Sequence, residues 1–215
     1  VRSVDEHLEA VLAPVRPLAE LDLTLLDAHG CVLAEDIVAT RPLPGFDNSA
    51  MDGYAVRAEE VASATEETPV ELPVAADIAA GHRGLTLLRP GLAARIMTGA
   101  PLPEGADAVV PVEETSAHDV VGQFTDRLTM VRIHHAPSVG QHVRRAGEDV
   151  QVGETVLQAG TFLGAAQIGL LAAIGRERVR VRPRPRVVII ATGSELVEVG
   201  EELQPGQLHD SNSYM

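Results

Sequence analysis

The chain has 215 residues, 45% hydrophobic and 22% charged, enough for one large or two small domains and outside the range of disordered or collagen-like chains. Seventeen basic residues stand against 31 acidic ones, a net charge of −14 that repels nucleic acid and anionic membrane surfaces. With 2% aromatic residues and no Trp, the core must be built from Val, Leu, Ile and Ala, and stacking platforms for bases are excluded.

Ser3 and Glu6 stand at capping-box spacing, and Val4, Leu8, Val11, Leu12 and Val15 follow at helical intervals until Pro14 interferes, so a short amphipathic helix opens the chain. Leu21, Leu23 and Leu25 alternate with Asp22 and Thr24 as in a strand. Residues 29–34 read as a second short helix and 36–39 as a strand. Pro42, Pro44 and Gly45 then interrupt the chain, a composition that marks a domain boundary or a functional loop. Between 56 and 135, runs at 70–74, 93–97, 108–112 and 128–133 are separated by Pro, Gly and acidic turns, which predicts a small β-rich barrel or sandwich.

Glycines 140, 147, 153 and 160 punctuate strands around Val143, Val150 and Val156. Residues 164–173 form an Ala/Leu helix that Gly175 ends. Arg178, Arg180, Arg182, Arg184 and Arg186 alternate with Val and Pro, which reads as the solvated face of an edge strand guarded against pairing. The apolar run 187–191 has the character of a parallel strand inside a sheet, and Asp210, Ser211 and Asn212 that of a helix N-cap. Such a strand needs neighbours that the last 24 residues do not supply, so the chain is expected to be a fragment of something longer. The fold class is therefore α+β and multidomain: an elongated mixed α/β domain from residues 1–40 and 140–182, a β-barrel-like domain inserted at 41–139, and the start of a third, α/β domain at 183–215.

Cys31 is the only cysteine, which removes disulfide frameworks, Cys-based zinc sites and CxxC redox motifs and suits a cytoplasmic compartment. All 17 basic residues are arginine, so phosphate-binding lysines and Schiff-base chemistry are excluded within the chain. No apolar run reaches the ~20 residues that span a bilayer, and the first residues lack a signal-peptide pattern. His134 and His135 are adjacent, so on a strand they face opposite ways and make a poor metal site.

Four segments remain. PGFDNSAMDGYA (44–55) packs Asp47 and Asp52 among turn residues, with Ser49 suited to local backbone bonds and Phe46, Met51 and Tyr54 costly to expose. RIMTGAPLPEGADAVV (95–110) runs from a strand into Thr98, Gly99 and Ala100, where small residues let backbone amides approach an anion. RRAGEDV (144–150) places two guanidiniums ahead of Glu148 and Asp149, ordinarily a surface ion pair. ATGSEL (191–196) sets Thr192, Gly193 and Glu195 at the carboxyl end of the expected parallel strand, where open α/β sheets bind ligands. Alone, the first also reads as a structural turn, the Thr-Gly of the second is not specific, and the fourth lacks the GxGxxG of a dinucleotide fold.

Taken together, in this order and closing with DSN at 210–212, the segments resemble the molybdopterin molybdenumtransferase family, MoeA, which includes the gephyrin E domain. The resemblance covers essentially the whole chain. It implies molybdenum cofactor biosynthesis by an elongated homodimer that inserts molybdate into adenylylated molybdopterin (molybdopterin-AMP) with Mg²⁺ and releases AMP. It also implies the molybdopterin adenylyltransferase as a partner, and makes 183–215 the start of a truncated molybdopterin-binding domain. By motif, Asp52, Thr98 and Glu195 fall on catalytic positions, with Asp52 and Glu195 near the metal. Ser49, Gly99, Asp149, Thr192, Gly193, Asp210 and Asn212 fall on substrate- or cofactor-binding positions. The family's later glycine-rich, lysine-containing and Pro-Gly-Asn-Pro segments are absent from these 215 residues, so the chain alone is expected to be inactive. The alternative is a dimerisation or scaffold module of the gephyrin kind, which would have no need of Asp52, Thr98, Asp149 and Glu195 together.

Overall fold

The computed structural model describes residues 2–82, 84, 86–117 and 130–215. Within them the chain folds into mixed sheets with a curled half-barrel and few helices. Helix α1 (Val4–Leu12) carries the expected reciprocal capping box: Glu6 N–H donates to Ser3 Oγ at 3.2 Å and Ser3 N–H to the Glu6 carboxylate at 2.8 Å. None of its residues is buried.

The first core joins distant parts of the sequence. Strands β1 (Leu21–Thr24) and β2 (Val32–Leu33) flank β12 (Arg178–Arg182) in an antiparallel three-stranded sheet. Val179 and Val181 point inward and pack with Leu33, Ile37, Leu163 and Leu171, the last on helix α2 (Ala165–Ala173). The expected helix at 29–34 does not form. Gly30 adopts φ +80°, a left-handed turn that breaks a helix, and its N–H bonds the Leu163 carbonyl, which directs the following residues into β2. Nor is β12 an edge strand: it is central, and its arginines are neutralised. Arg178 pairs with Asp22 at 3.2 Å, Arg180 with Glu35 at 3.1 Å and Arg182 with Glu20 at 2.8 Å.

The second region is a five-stranded sheet in the order β8, β5, β7, β6, β9: Ala108–Pro111, Gly53–Val56, Ala93–Ile96, Val70–Ile78 and Met130–Ile133. Only β6 and β7 pair in parallel. Tyr54, Val56, Val110, Val131 and Ile133 fill one cluster, and Ala55, Ile78, Ala94, Ile96 and Val109 another. The run expected from 128 begins at Met130 among the described residues. Gly53 is required here, because a Cβ at this position would lie 2.0 Å from the Val110 carbonyl oxygen of the adjoining strand.

Between the two regions runs an irregular antiparallel ribbon. Strand β3 (Ile37–Val38) pairs with β11 (Thr155–Leu157), Leu43 bridges Val150, and β4 (Asn48–Ser49) pairs with β10 (Val143–Arg144). The Leu43–Pro44 peptide is cis.

The run 187–191 is not a strand. Val187, Val188 and Ile190 stay more than 70% exposed, because an apolar strand orders only against neighbours that pair with it. Parallel pairing appears further on instead, between β13 (Leu196–Val197) and β14 (Leu208–His209). Among the described residues no helix is long and apolar enough to cross a membrane.

Candidate functional site

Three of the four motif segments converge where the ribbon meets the five-stranded sheet. Residues 44–52 leave the ribbon and enter β5 at Gly53, and residues 97–102 leave β7. Their backbones interlock: Gly99 N–H donates to the Ser49 carbonyl at 2.8 Å, Ser49 N–H to that of Ala100 at 3.0 Å, and Leu102 N–H to that of Asp47 at 2.9 Å. The third segment follows β10 and returns to the ribbon, where Asp149 and Val150 N–H both donate to the Leu43 carbonyl.

Asp52 and Thr98 meet across this junction, and both are exposed. Asp52 Oδ1 accepts two hydrogen bonds of 2.7 Å, from the Thr98 N–H and the Thr98 hydroxyl. These two bonds hold the carboxyl below its ordinary pKa, partial burial opposes them, and the positive charge of Arg95 adds to them. Arg95 is itself paired with Asp77 at 3.4 Å. Asp52 is thus an anion at neutral pH with one oxygen saturated, and Oδ2 takes no hydrogen bond among the described residues.

The expectation of a small-residue cradle for an anion is not met in this arrangement. The N–H groups of Thr98, Gly99 and Ala100 are all spent inside the protein, on Asp52, Ser49 and Met97, and the Thr98 hydroxyl proton points at Asp52. Gly99 (φ +78°) serves the turn. Ser49 is fully buried, and its hydroxyl donates to the Met51 carbonyl at 2.5 Å while accepting from Met51 N–H at 3.2 Å. Its structural work is the local turn that presents Asp52.

In the sequence Asp47 reads only as a turn residue. Its carboxylate spans to the third segment, bonding Arg145 Nη1 at 2.6 Å and Ala146 N–H at 2.8 Å. The Ala146 bond and then the Arg145 guanidinium hold its carboxyl below the ordinary range, against the opposing effect of burial. The ion pair expected within the RRAGEDV segment is therefore made instead with the first motif. Asp149 is exposed, with its backbone N–H on Leu43.

The fourth segment stands apart in its bonding. Glu195 is exposed with its carboxylate folded over Gly193, the Leu196 N–H donates to the Gly193 carbonyl, and Leu208 N–H donates to that of Glu195. Thr192 and Gly193 are exposed. Asp210 holds the final turn from the position before its N-cap, Ser211, which makes no side-chain cap bond: the Asp210 carboxylate accepts from the Ser213 hydroxyl, from Ser213 N–H at 3.1 Å and from Asn212 N–H at 3.0 Å, which lowers its pKa. The element it holds is a single 3₁₀ turn, Asn212–Tyr214.

Among the described residues no group of three or more His, Cys, Asp or Glu side chains could hold a metal ion, so a protein-only cage is not built here. Asp52 Oδ2, which takes no hydrogen bond among the described residues, fits a hard cation that keeps several waters and is completed by phosphate, which is how Mg²⁺ is commonly held.

Residues 2–175 match the family model described as the MoeA N-terminal region (domain I and II). Molybdopterin molybdenumtransferase 2 of Mycobacterium tuberculosis (strain H37Rv) is 48% identical over 215 residues, which is 100% of this chain and 51% of the relative. Molybdopterin molybdenumtransferase 1 of the same strain is 42% identical over 229 residues, again 100% of this chain and 52% of that protein. The crystal structure of the molybdopterin biosynthesis moeA protein from Pyrococcus horikoshii OT3 superposes with a TM-score of 0.76 at 35% identity, over 98% of this chain and 54% of that one. The chain spans about half the length of the curated relatives it matches.

Proposed function

The chain belongs to the MoeA family, and on that premise we propose that it acts in molybdenum cofactor biosynthesis, contributing part of a site that inserts molybdate into adenylylated molybdopterin with release of AMP. The observation that carries this reading is the Asp52–Thr98 pair, an exposed carboxylate of lowered pKa whose Oδ2 takes no hydrogen bond among the described residues.

Asp52 is then the residue that meets the substrate or its cation. Thr98 fixes the orientation of Asp52 and holds its carboxyl pKa below the ordinary value. It acts by positioning, since its hydroxyl proton is already donated. Asp149 offers a second exposed carboxylate from the neighbouring loop, and Glu195, with Thr192, Gly193 and Asn212, a third surface from the far segment. Asp210 orders the turn that carries Asn212. When bound, Mg²⁺ would be held by Asp52 with Glu195 as a second carboxylate, and would supply positive charge against phosphate and oxyanion. Carboxylates alone would repel both molybdate and phosphate.

The domain division goes with this reading: 1–40 and 140–182 form one discontinuous domain, 41–139 an inserted one and 183–215 the beginning of a third. We further propose a homodimer in which the Asp52 rim of one subunit faces the molybdopterin-binding domain of the other, supplied by an adenylyltransferase partner in the cytoplasm. On this reading residues 1–215 alone do not complete the reaction.

Co-expression tests it. Paired with a full-length relative inactivated at its own counterpart of Asp52, the chain restores partial molybdate insertion, whereas the chain carrying Asp52→Asn forms the same heterodimer and restores nothing. Co-purified heterodimers with insertion at background for the unsubstituted chain would overturn the reading.

A further inference from the structure

We propose that Asp47 is a positioning residue of this site, and that its clamp on Arg145 and Ala146 sets the Asp149 loop against Asp52 and Thr98. The proposal rests on the functional reading above and adds to it a residue that touches no reactant.

The chain leaves β10 at Arg144 and rejoins the ribbon at Asp149 and Val150, on the Leu43 carbonyl. The turn between them closes on itself, Arg145 N–H donating to the Glu148 carboxylate at 2.8 Å. Such a closed turn can pivot as a unit unless something outside it holds it. Two contacts from the first motif do: Gly147 N–H on the Pro44 carbonyl at 2.9 Å, and the two-point grip of Asp47, with Oδ2 on Arg145 Nη1 at 2.6 Å and Oδ1 on Ala146 N–H at 2.8 Å.

The same residue reaches the second motif. The Asp47 carbonyl accepts from Leu102 N–H, just past the Thr98–Gly99–Ala100 turn. Asp47 is therefore bonded to the loop of Asp149 by its side chain and to the loop of Thr98 by its backbone, and it precedes Asp52 by five residues. Both of its carboxylate oxygens are occupied by protein donors, which leaves Asp47 to align the other carboxylates without binding ligand itself.

The test uses Asp47→Asn and Arg145→Gln in the protein that carries this chain. The second variant removes only a half-exposed partner, so it folds whatever becomes of the first. Amide hydrogen exchange at Ala146 and Asp149 should quicken roughly tenfold in Asp47→Asn. The amides of β5 should stay as they were, and the melting temperature should fall by no more than about 1–4 °C, as for loss of an exposed charged contact. The molybdate insertion rate should fall about tenfold in both variants at saturating substrate, with partial recovery in Arg145→Lys. Unchanged exchange at 145–149 would overturn the clamp. Faster exchange with unchanged insertion would reduce Asp47 to a structural role and refute the proposal. If the unsubstituted protein inserts no molybdate, the functional reading fails and the positioning role falls with it, while the exchange arm still decides whether the clamp exists.

Discussion

Replacing Thr98 with valine removes the hydroxyl that donates to Asp52 Oδ1 while leaving the side-chain volume and the Thr98 N–H bond in place. A hydrogen bond to a charged group is worth about 1.5–3 kcal/mol when shielded from water. Both partners here are exposed, so screening brings the loss to roughly 0.5–1 kcal/mol. For a chain of this size that corresponds to a melting temperature lower by about 1–4 °C. The sign with pH comes from the depressed pKa of Asp52. A carboxyl whose folded pKa lies below its unfolded value of 3.8 adds stability that is fully present above that value and is lost as pH falls through the folded one. The difference between native and Thr98→Val proteins should therefore be complete at pH 7 and shrink below about pH 4. Carbon-detected NMR of the Asp52 carboxyl gives the direct reading, with the midpoint moving up in the variant. An unmoved midpoint, or a stability loss of several kcal/mol at every pH, would refute the role assigned to this hydroxyl.

Gly53→Ala should cost about 3 kcal/mol or more, because the new Cβ meets the Val110 carbonyl and two paired strands must separate; urea denaturation reads this as a lower midpoint. Glu35, Asp47 and Asp52 all have depressed carboxyl pKa values, set by hydrogen bonds from Arg180, from Ala146 and Arg145, and from Thr98. Stability should accordingly fall with pH from just above their ordinary values of 3.8 to 4.5 downward, and a urea midpoint independent of pH from 5 to 3 would contradict these contacts. Ile190→Ser, at a side chain 80% exposed, should change stability by less than about 0.5 kcal/mol, whereas a buried strand at 187–191 would make the same change cost several times more.

What the sequence disclosed well was periodic and local. The capping box of α1, the strand runs expected at 70–74 and 93–97 and found as Val70–Ile78 and Ala93–Ile96, and the turn held by Asp210 each depend on residues within a few positions of one another. What it hid was long-range. Nothing near residues 29–34 announces that Gly30 will bond Leu163, and nothing in RVRVR announces strands on both sides, since the acidic partners Asp22, Glu20 and Glu35 come from far up the chain. The run 187–191 has a strand's composition without a strand's partners, so pattern and structure part there. At the site, the motifs offer Asp52 and Thr98 as separate candidates. Their direct bond, and the reach of Asp47 to Arg145, are tertiary facts. The clue available was chemical: a second carboxylate in the first motif and a spare guanidinium in the third.

The ribbon between the two regions has a consequence for how the molecule can be taken apart. Because Asn48–Ser49 and Val143–Arg144 are paired neighbours, the chain enters and leaves the five-stranded sheet through positions one strand spacing apart, about 4.8 Å. The sheet hangs from the tip of what would otherwise be an ordinary hairpin. Joining Asn48 directly to Arg144 through a two-residue turn such as Asn-Gly would close that hairpin and excise the half-barrel whole, leaving β1, β2, β12 and α2 with all of their mutual contacts. Conversely, a single cut in either arm of the ribbon leaves the other arm covalently intact and the paired one held by hydrogen bonds, so a nicked molecule stays assembled until it is denatured.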